Sequence, residues 1–241
     1  MKQTQKVIKY IAIAFGSFLS VVIIGTILSA TVLGLRIFGG VLELEDSKSN
    51  IAIEKMDYQQ EFKNIENIKI EGNVAKFILK EADTDIIKVE VKKADTTLKV
   101  MQQGKDLVIK EEDIFSVFGK TESAYVQINV PKGTLLKKVE IDNQAGNIEV
   151  ANLQIEDLVL EVGAGTIKLE QIQVKNHTKI DGGAGKIEII KGFFNSLDFS
   201  GGIGDFYFNG TVKENSEIEA GIGKLELELI EKKEDYQIKI D

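Results

Sequence analysis

A near-constant glycine repeat constrains the fold of this chain more than any other feature. From Val139 onward, the last glycine of each successive turn returns after 19 or 20 residues, at Gly146, Gly165, Gly185, Gly204 and Gly223. Each repeat reads as an alternating strand, a small-residue turn, a second alternating strand and a polar return. Because two strands of about five residues cannot bury their apolar faces alone, the repeats are expected to stack. The sequence therefore predicts an all-β, β-solenoid-like stack of 19–20-residue repeats, of right or left hand, over residues 139–241.

The turns also support predictions about strand direction and side-chain orientation. A set of antiparallel hairpins is the alternative fold, but the constant period favours coils stacked in parallel. Glycine is expected where the chain reverses with positive φ, or where coils approach too closely for a side chain. The residues between or beside these glycines are predicted to point inward, namely Ala145, Ala164, Ala184, Ile203 and Ile222.

Residues 64–138 carry strand patterns without the regular period. The segments IENIKIEG (65–72) and NVAKFILK (73–80) are predicted to pair through a turn at Gly72-Asn73, and Gln103-Gly104 is predicted to form a hairpin turn. We interpret 64–138 as an irregular β region that caps one end of the stack. The charged run 231–235 is expected to protect the other end.

The N-terminal part predicts a membrane anchor. An uncharged stretch of 26 residues runs from Tyr10 to Leu35, which as a helix would span roughly 39 Å, more than the ~30 Å of a hydrocarbon core. Lysines precede this stretch and acidic residues come after it, so the N-terminus is expected in the cytoplasm. The predicted organisation is a cytoplasmic tail (1–9), one transmembrane α-helix (10–36) and a juxtamembrane linker (37–63) with a short strand or helix.

Composition excludes several function classes. The chain has no cysteine, one histidine and a net charge of −8. Residues 1–36 contain four basic residues and no acid, which leaves −12 for the remainder. Such an acidic domain should be repelled by nucleic acid, and a chain without cysteine has neither disulfides nor thiolate metal sites.

No residue set predicts catalysis, a cofactor or a metal. His177 stands alone in a polar return and is interpreted as a solvated loop residue. Asp142, Asp181 and Asp205 lie beside the turns, but calcium solenoids carry their aspartates at a much shorter period. The glycine turns lack the flanking residues of phosphate-binding loops. We therefore interpret the protein as a non-enzyme.

Two apolar clusters are candidates for an interaction patch. One breaks strand alternation between residues 113 and 119, and the other lies in the third return. Each is either a plug for the core or an exposed docking surface. The candidate residues are Ile114, Phe115, Val117, Phe118, Phe193 and Phe194.

The segments IDNQAGNIEV, LEVGAGTIKL and IDGGAGKIEI, downstream of a membrane anchor, resemble a bacterial family of unknown function labelled "putative adhesin". The resemblance covers residues 64–241 and is clearest over 139–229. The family includes envelope-stress proteins of Gram-positive bacteria, so the resemblance implies surface exposure and a binding or scaffold role. It supplies no catalytic residues.

These observations predict a single-pass protein of the cell membrane of a Gram-positive bacterium, with an extracytoplasmic domain that binds or scaffolds in envelope-stress sensing. A surface adhesin is the alternative, and a carbohydrate-active envelope enzyme the weaker third reading. The expected partners are the membrane, an envelope protein or a cationic peptide. Self-association through the membrane helix or the solenoid edges would also fit the sequence.

Overall fold

The computed structural model describes residues 56–94, 97–111 and 124–232. The predicted anchor (10–36) lies outside these residues, and within them no helix is long and apolar enough to cross a bilayer. The prediction of an all-β fold is confirmed. The strands are β1 (Met56–Phe62), β2 (Asn67–Ala82), β3 (Ile87–Ala94), β4 (Leu98–Gln103), β5 (Asp106–Glu111), β6 (Ala124–Pro131), β7 (Leu135–Ala151), β8 (Gln154–Glu170), β9 (Gln173–Val212), β10 (Glu217–Ile222) and β11 (Leu225–Leu229).

The strands from β7 to β11 wind as coils stacked in parallel. Leu158 of β8 pairs with Val139 of β7, nineteen residues earlier, and Thr178 of β9 pairs with Leu158, twenty residues earlier. β10 and β11 continue the stack and pair in parallel with β9. The parallel register rules out the alternative of antiparallel hairpins for this region.

The stack begins earlier than the sequence pattern predicts. β2 pairs in parallel with β7 from Asn67 to Lys80, so residues assigned to the irregular cap form the first coil. The predicted hairpin at Gly72-Asn73 is wrong, because the chain passes through this point within one strand. Gly72 pairs with Asn143 in the next coil, three residues before Gly146.

The residues between β2 and β7 close the N-terminal end of the stack. β6 pairs in parallel with one half of β2, and β3 and β1 extend this sheet in antiparallel fashion. β5 pairs in parallel with the other half of β2. The predicted hairpin at Gln103-Gly104 is confirmed, since β4 and β5 pair antiparallel around it. β1 begins at Met56, within the predicted linker.

Alternation along each strand builds the core. Residues that share a register position repeat the same burial, so apolar columns run through the stack. One such column contains Ile148, Ile167 and Ile187, all buried. Near the C-terminal end the core also contains phenylalanines. The Phe199 and Phe206 rings stack with centroids 3.9 Å apart.

Glycine forms the corner at which the coils touch. The five predicted turn glycines all have positive φ, from 125° at Gly146 to 148° at Gly223. A Cβ placed on Gly165 would lie 1.9 Å from the carbonyl oxygen of Gly146, and one on Gly185 would lie 1.9 Å from that of Gly165. Backbone of one coil therefore occupies the space that a side chain would need in the next.

The prediction that the intervening turn residues point inward is wrong. Ala164 and Ala184 are exposed and Ala145 is half-buried, while Ile203 is 62% and Ile222 75% exposed. The physical reason is that the positive φ of the next glycine bends the chain, which shifts the alternation by one residue and leaves the intervening residue on the outside of the corner. This corner therefore becomes more apolar on its outer surface toward the C-terminal end.

Candidate interaction surface

The C-terminal coil presents an open sheet edge. β10 and β11 both pair with β9, and no other described strand pairs with either of them. The carbonyl of Lys224 accepts a hydrogen bond from the Phe206 N–H at 2.8 Å, and the Ile230 N–H donates to the Gly210 carbonyl at 2.9 Å. Successive residues of a strand direct their backbone groups to opposite sides. The odd-numbered positions of β11 therefore point their N–H and C=O groups away from β9; they are Leu225, Leu227 and Leu229.

Among the described residues, no coil covers the aliphatic side chains at this end; residues 233–241, with most of the charged run expected to protect it, lie outside the described residues. Leu225 and Leu227 pair with Phe206 and Phe208, so they continue columns that are buried one coil earlier. We call the resulting surface the end patch. It consists of Leu225 (44% exposed), Leu227 (41%) and Ile230 (60%), together with Ile222 (75%), which is exposed on the outside of the corner as Ile203 is one coil earlier.

Carboxylates alternate with the leucines of the end patch. Residues 214–232 contain six acidic and two basic residues. Glu226 forms an ion pair with Lys224. Glu228 accepts hydrogen bonds from the Tyr207 hydroxyl at 2.7 Å and the Asn209 amide at 2.9 Å, and these bonds hold the pKa of Glu228 below its usual value. Glu228 forms no ion pair with any described residue, so this edge carries a charged carboxylate without a cation.

The two predicted phenylalanines of the third return face opposite ways. Phe194 is fully buried and its ring centroid lies 5.9 Å from that of Phe208, so its assignment to an exposed patch is wrong. It occupies an inward position of the alternating return strand, as Val174 does one coil earlier. Phe193 occupies the outward position, is 40% exposed, and has the Lys213 ammonium 5.8 Å from its ring centroid. The other candidates, Ile114, Phe115, Val117 and Phe118, lie outside the described residues.

The polar residues singled out in the sequence form no reactive cluster. The backbone N–H of His177 donates to an Asp157 carboxylate oxygen at 3.3 Å. Asp142 and Asp181 occupy one outer row, with Glu161 between them, while Asp205 accepts a hydrogen bond from the Lys224 N–H. Within the described residues, no group of three or more acidic or histidine side chains has a metal-binding arrangement.

Sequence reasoning missed the end patch because it treated every repeat alike. The alternation in LELEL (225–229) is that of a buried strand, and it predicts inward leucines in any coil that has a successor. The available signal was the position of this segment in the last glycine-marked repeat. A terminal coil exposes the surface that every earlier coil buries.

The family of the chain can be recognised from its sequence together with this coiled architecture. The profile of the Toastrack family, DUF4097, matches residues 65–241. The chain belongs to the Toastrack family. The match begins within two residues of β2, so the family domain and the described coil stack start together. No curated protein shows significant similarity to the chain.

Several solved structures are similar to this Toastrack domain. A putative cell adhesion protein from Clostridium sporogenes aligns over 73% of this chain and 100% of its own, with 12% identity and a TM-score of 0.49. A putative adhesin from Bacteroides fragilis aligns over 73% and 98%, with 16% identity and a TM-score of 0.35. A putative lipid binding protein from Parabacteroides distasonis aligns over 71% and 96%, with 12% identity and a TM-score of 0.22.

Proposed function

We propose that this Toastrack protein is a membrane-tethered, non-catalytic binding or scaffold module of the cell envelope, which holds its partner at the C-terminal end of the coil stack. The observation that carries the proposal is the end patch. An open sheet edge with four exposed aliphatic side chains is a recognised mode of protein association. Natural sheets protect such an edge with prolines, bulges or charged side chains; β11 carries neither a proline nor a bulge, and its charged residues are Glu226 and Glu228.

Tethering is inferred from the sequence. The uncharged stretch from Tyr10 to Leu35 and the basic residues before it support a single-pass anchor with the N-terminus in the cytoplasm. The acidic Toastrack domain would then lie outside the membrane, where a role in envelope-stress sensing requires a membrane or extracytoplasmic partner. External protease added to intact cells should digest the domain. Full protection of the domain in cells with a sealed membrane would contradict this orientation.

The binding role is tested by site-specific cross-linking in intact cells. A photo-reactive amino acid replaces Leu227 in the full chain, and a matched variant carries it at Gln173, which is exposed in the middle of the stack. We expect Leu227 to capture an integral membrane or envelope protein that Gln173 does not. Equal capture at the two positions, or capture at neither, would contradict a partner site at this edge.

The same experiment separates the scaffold from the adhesin alternative. An adhesin should cross-link chiefly to wall polymer, or to proteins of a second cell type mixed with the producing cells. Recovery of a stress-sensing membrane protein from the producing cells would instead favour a role in envelope-stress signalling.

A further inference from the structure

We propose that the occupant of the end patch is an extended polypeptide segment in which aliphatic residues alternate with lysine, and that it adds to β11 as a further parallel strand. This inference rests on the proposed function and specifies the chemistry of its partner. It makes the ligand a continuation of the stack, with one additional rung of backbone hydrogen bonds.

The backbone supports strand addition at this position. In parallel pairing, the N–H and C=O groups of alternate residues bond to the neighbouring strand. β11 uses its even-numbered residues toward β9, as the Lys224 and Ile230 bonds show. No described strand pairs with the outward groups of the three leucines, which form a ladder of donors and acceptors along a five-residue strand. An extended peptide can satisfy these groups without any change in the protein.

The apolar columns specify one half of the ligand sequence. Each inward residue of the stack is covered by the residue at the same register position in the next coil, as Ile148 is by Ile167. No described residue covers Leu225 and Leu227 in this way, and they are 44% and 41% exposed. An aliphatic side chain opposite each of them would extend the columns and remove apolar surface from water.

The outward rows of charged side chains specify the remaining positions of the ligand sequence. Within the stack, lysine and glutamate alternate along one outer row, from Glu149 to Lys168 and then to Glu188. In β11 the residue between the two exposed leucines is Glu226, and Glu228 comes next without a cation among the described residues. Opposite charges on adjacent strands are favourable and like charges are not. Glu226 pairs with Tyr207 of β9 rather than with a lysine, so a lysine at the ligand position beside it would supply a cross-strand cation.

The same charge pattern disfavours a second copy bound through the same edge. Two β11 strands paired antiparallel with leucine opposite leucine would also place glutamate opposite glutamate, because the two residue types alternate. Like charges directly opposite one another destabilise a strand pair. The opposite end of the stack offers less apolar surface, since Met56 is the one large hydrophobic residue above a third exposed among the described strands β1 to β6.

The first measurement is binding of synthetic peptides to the purified full-length protein in detergent micelles. The probe is a fluorescent heptapeptide of alternating valine and lysine. Its controls are the valine–glutamate peptide and a valine–lysine peptide with proline at the centre, which cannot complete the hydrogen-bond ladder. We expect binding of the first peptide alone. Equal binding of the proline peptide would overturn the strand-addition proposal.

Matched variants locate the site. Glu226→Lys combined with Glu228→Lys should weaken binding about tenfold or more, because two favourable cross-strand pairs become repulsive. Glu149→Lys combined with Glu188→Lys makes the same change of net charge in the middle of the stack and should leave binding within about twofold. Equal loss in the two double variants would show a response to net charge alone and would overturn the assignment to β11.

Hydrogen exchange of the full-length protein distinguishes the proposed peptide from two other occupants of the edge, another segment of the same chain and a second copy. The amides of Leu225 and Leu227 should exchange rapidly without peptide and slowly with it. Slow exchange without peptide at every protein concentration would show that the chain covers its own edge. Protection that appears only at high concentration would assign the edge to a second copy, and either result would overturn the proposal. If no peptide binds but Leu227 still cross-links selectively in cells, the proposed function stands and this inference fails.

Discussion

Replacement of Gly165 by alanine tests the central feature of the stack, the close contact of coils at the glycine corner. The added Cβ would lie 1.9 Å from the carbonyl oxygen of Gly146 and 2.9 Å from its carbonyl carbon. Both are backbone atoms, so no side-chain rotation can relieve the overlap. Gly165 also has a φ of 134°, which L residues rarely adopt.

These two effects set the magnitude. A non-glycine residue with positive φ costs about 1–2 kcal/mol, and forcing atoms into close-packed structure costs about 1–3 kcal/mol more. The free energy of unfolding should therefore fall by roughly 2–5 kcal/mol, a large share of the about 5–15 kcal/mol of an ordinary domain. Gly104→Ala is the matched control. No atom lies within 4 Å of a Cβ added to Gly104, and its φ of 63° is close to the 52–58° of the non-glycine residues with positive φ. This variant therefore measures the cost of a left-handed alanine without a steric overlap.

Thermal unfolding of the two variants, monitored by circular dichroism in the same detergent, measures the difference. About 2 kcal/mol of contact energy corresponds to a melting temperature roughly 4–8 °C lower for Gly165→Ala than for Gly104→Ala. Equal melting temperatures would refute the reasoning, because they would show that the carbonyl of the preceding coil does not occupy the space beside Gly165.

Three further outcomes can be measured by similar methods. Thr178→Val should raise the free energy of unfolding by about 1–2 kcal/mol, because no described residue forms a hydrogen bond with the buried Thr178 hydroxyl; an unchanged or lower melting temperature would contradict this. Phe194→Ala should cost about 3–5 kcal/mol and Phe193→Ala less than about 1 kcal/mol, since only the former is buried; comparable urea midpoints would contradict the assignment of faces. Hydrogen bonds from Lys105 and Lys137 hold the pKa of Glu66 below its usual value, so their stabilisation is present above the usual carboxyl pKa and is lost as the pH falls through the lowered pKa. Glu66→Gln should therefore flatten the acid limb of a plot of melting temperature against pH, and an unchanged limb would exclude this contribution.

The coil stack could be predicted from the sequence because the glycine repeat has a steric cause. A period that returns to Gly146, Gly165 and Gly185 reports the places where backbone meets backbone, so it predicts parallel coils directly. The first coil could not be predicted because it has no glycine at its corner. Ala75 stands in register with Gly146, and without the glycine the repeat cannot be seen in β2.

The direction of the side chains at the corner and the location of the candidate site could not be predicted from the sequence. Alternation assigns Ala164 to the inside, and only the positive φ of Gly165 places it outside. The end patch has the same difficulty, because Leu225 and Leu227 have the pattern of core residues. A core position is buried only when another coil packs over it, and a local sequence pattern contains no information about that neighbour.

The parallel register gives the domain a length that can be counted. Each coil covers the previous one and presents an equivalent face, so the geometry sets no limit to the number of coils. Neighbouring strands lie about 4.8 Å apart, and a duplication of one whole repeat would move the end patch outward by that step while preserving every existing contact. The length of the coil stack can therefore change in units of one repeat without redesign of the core.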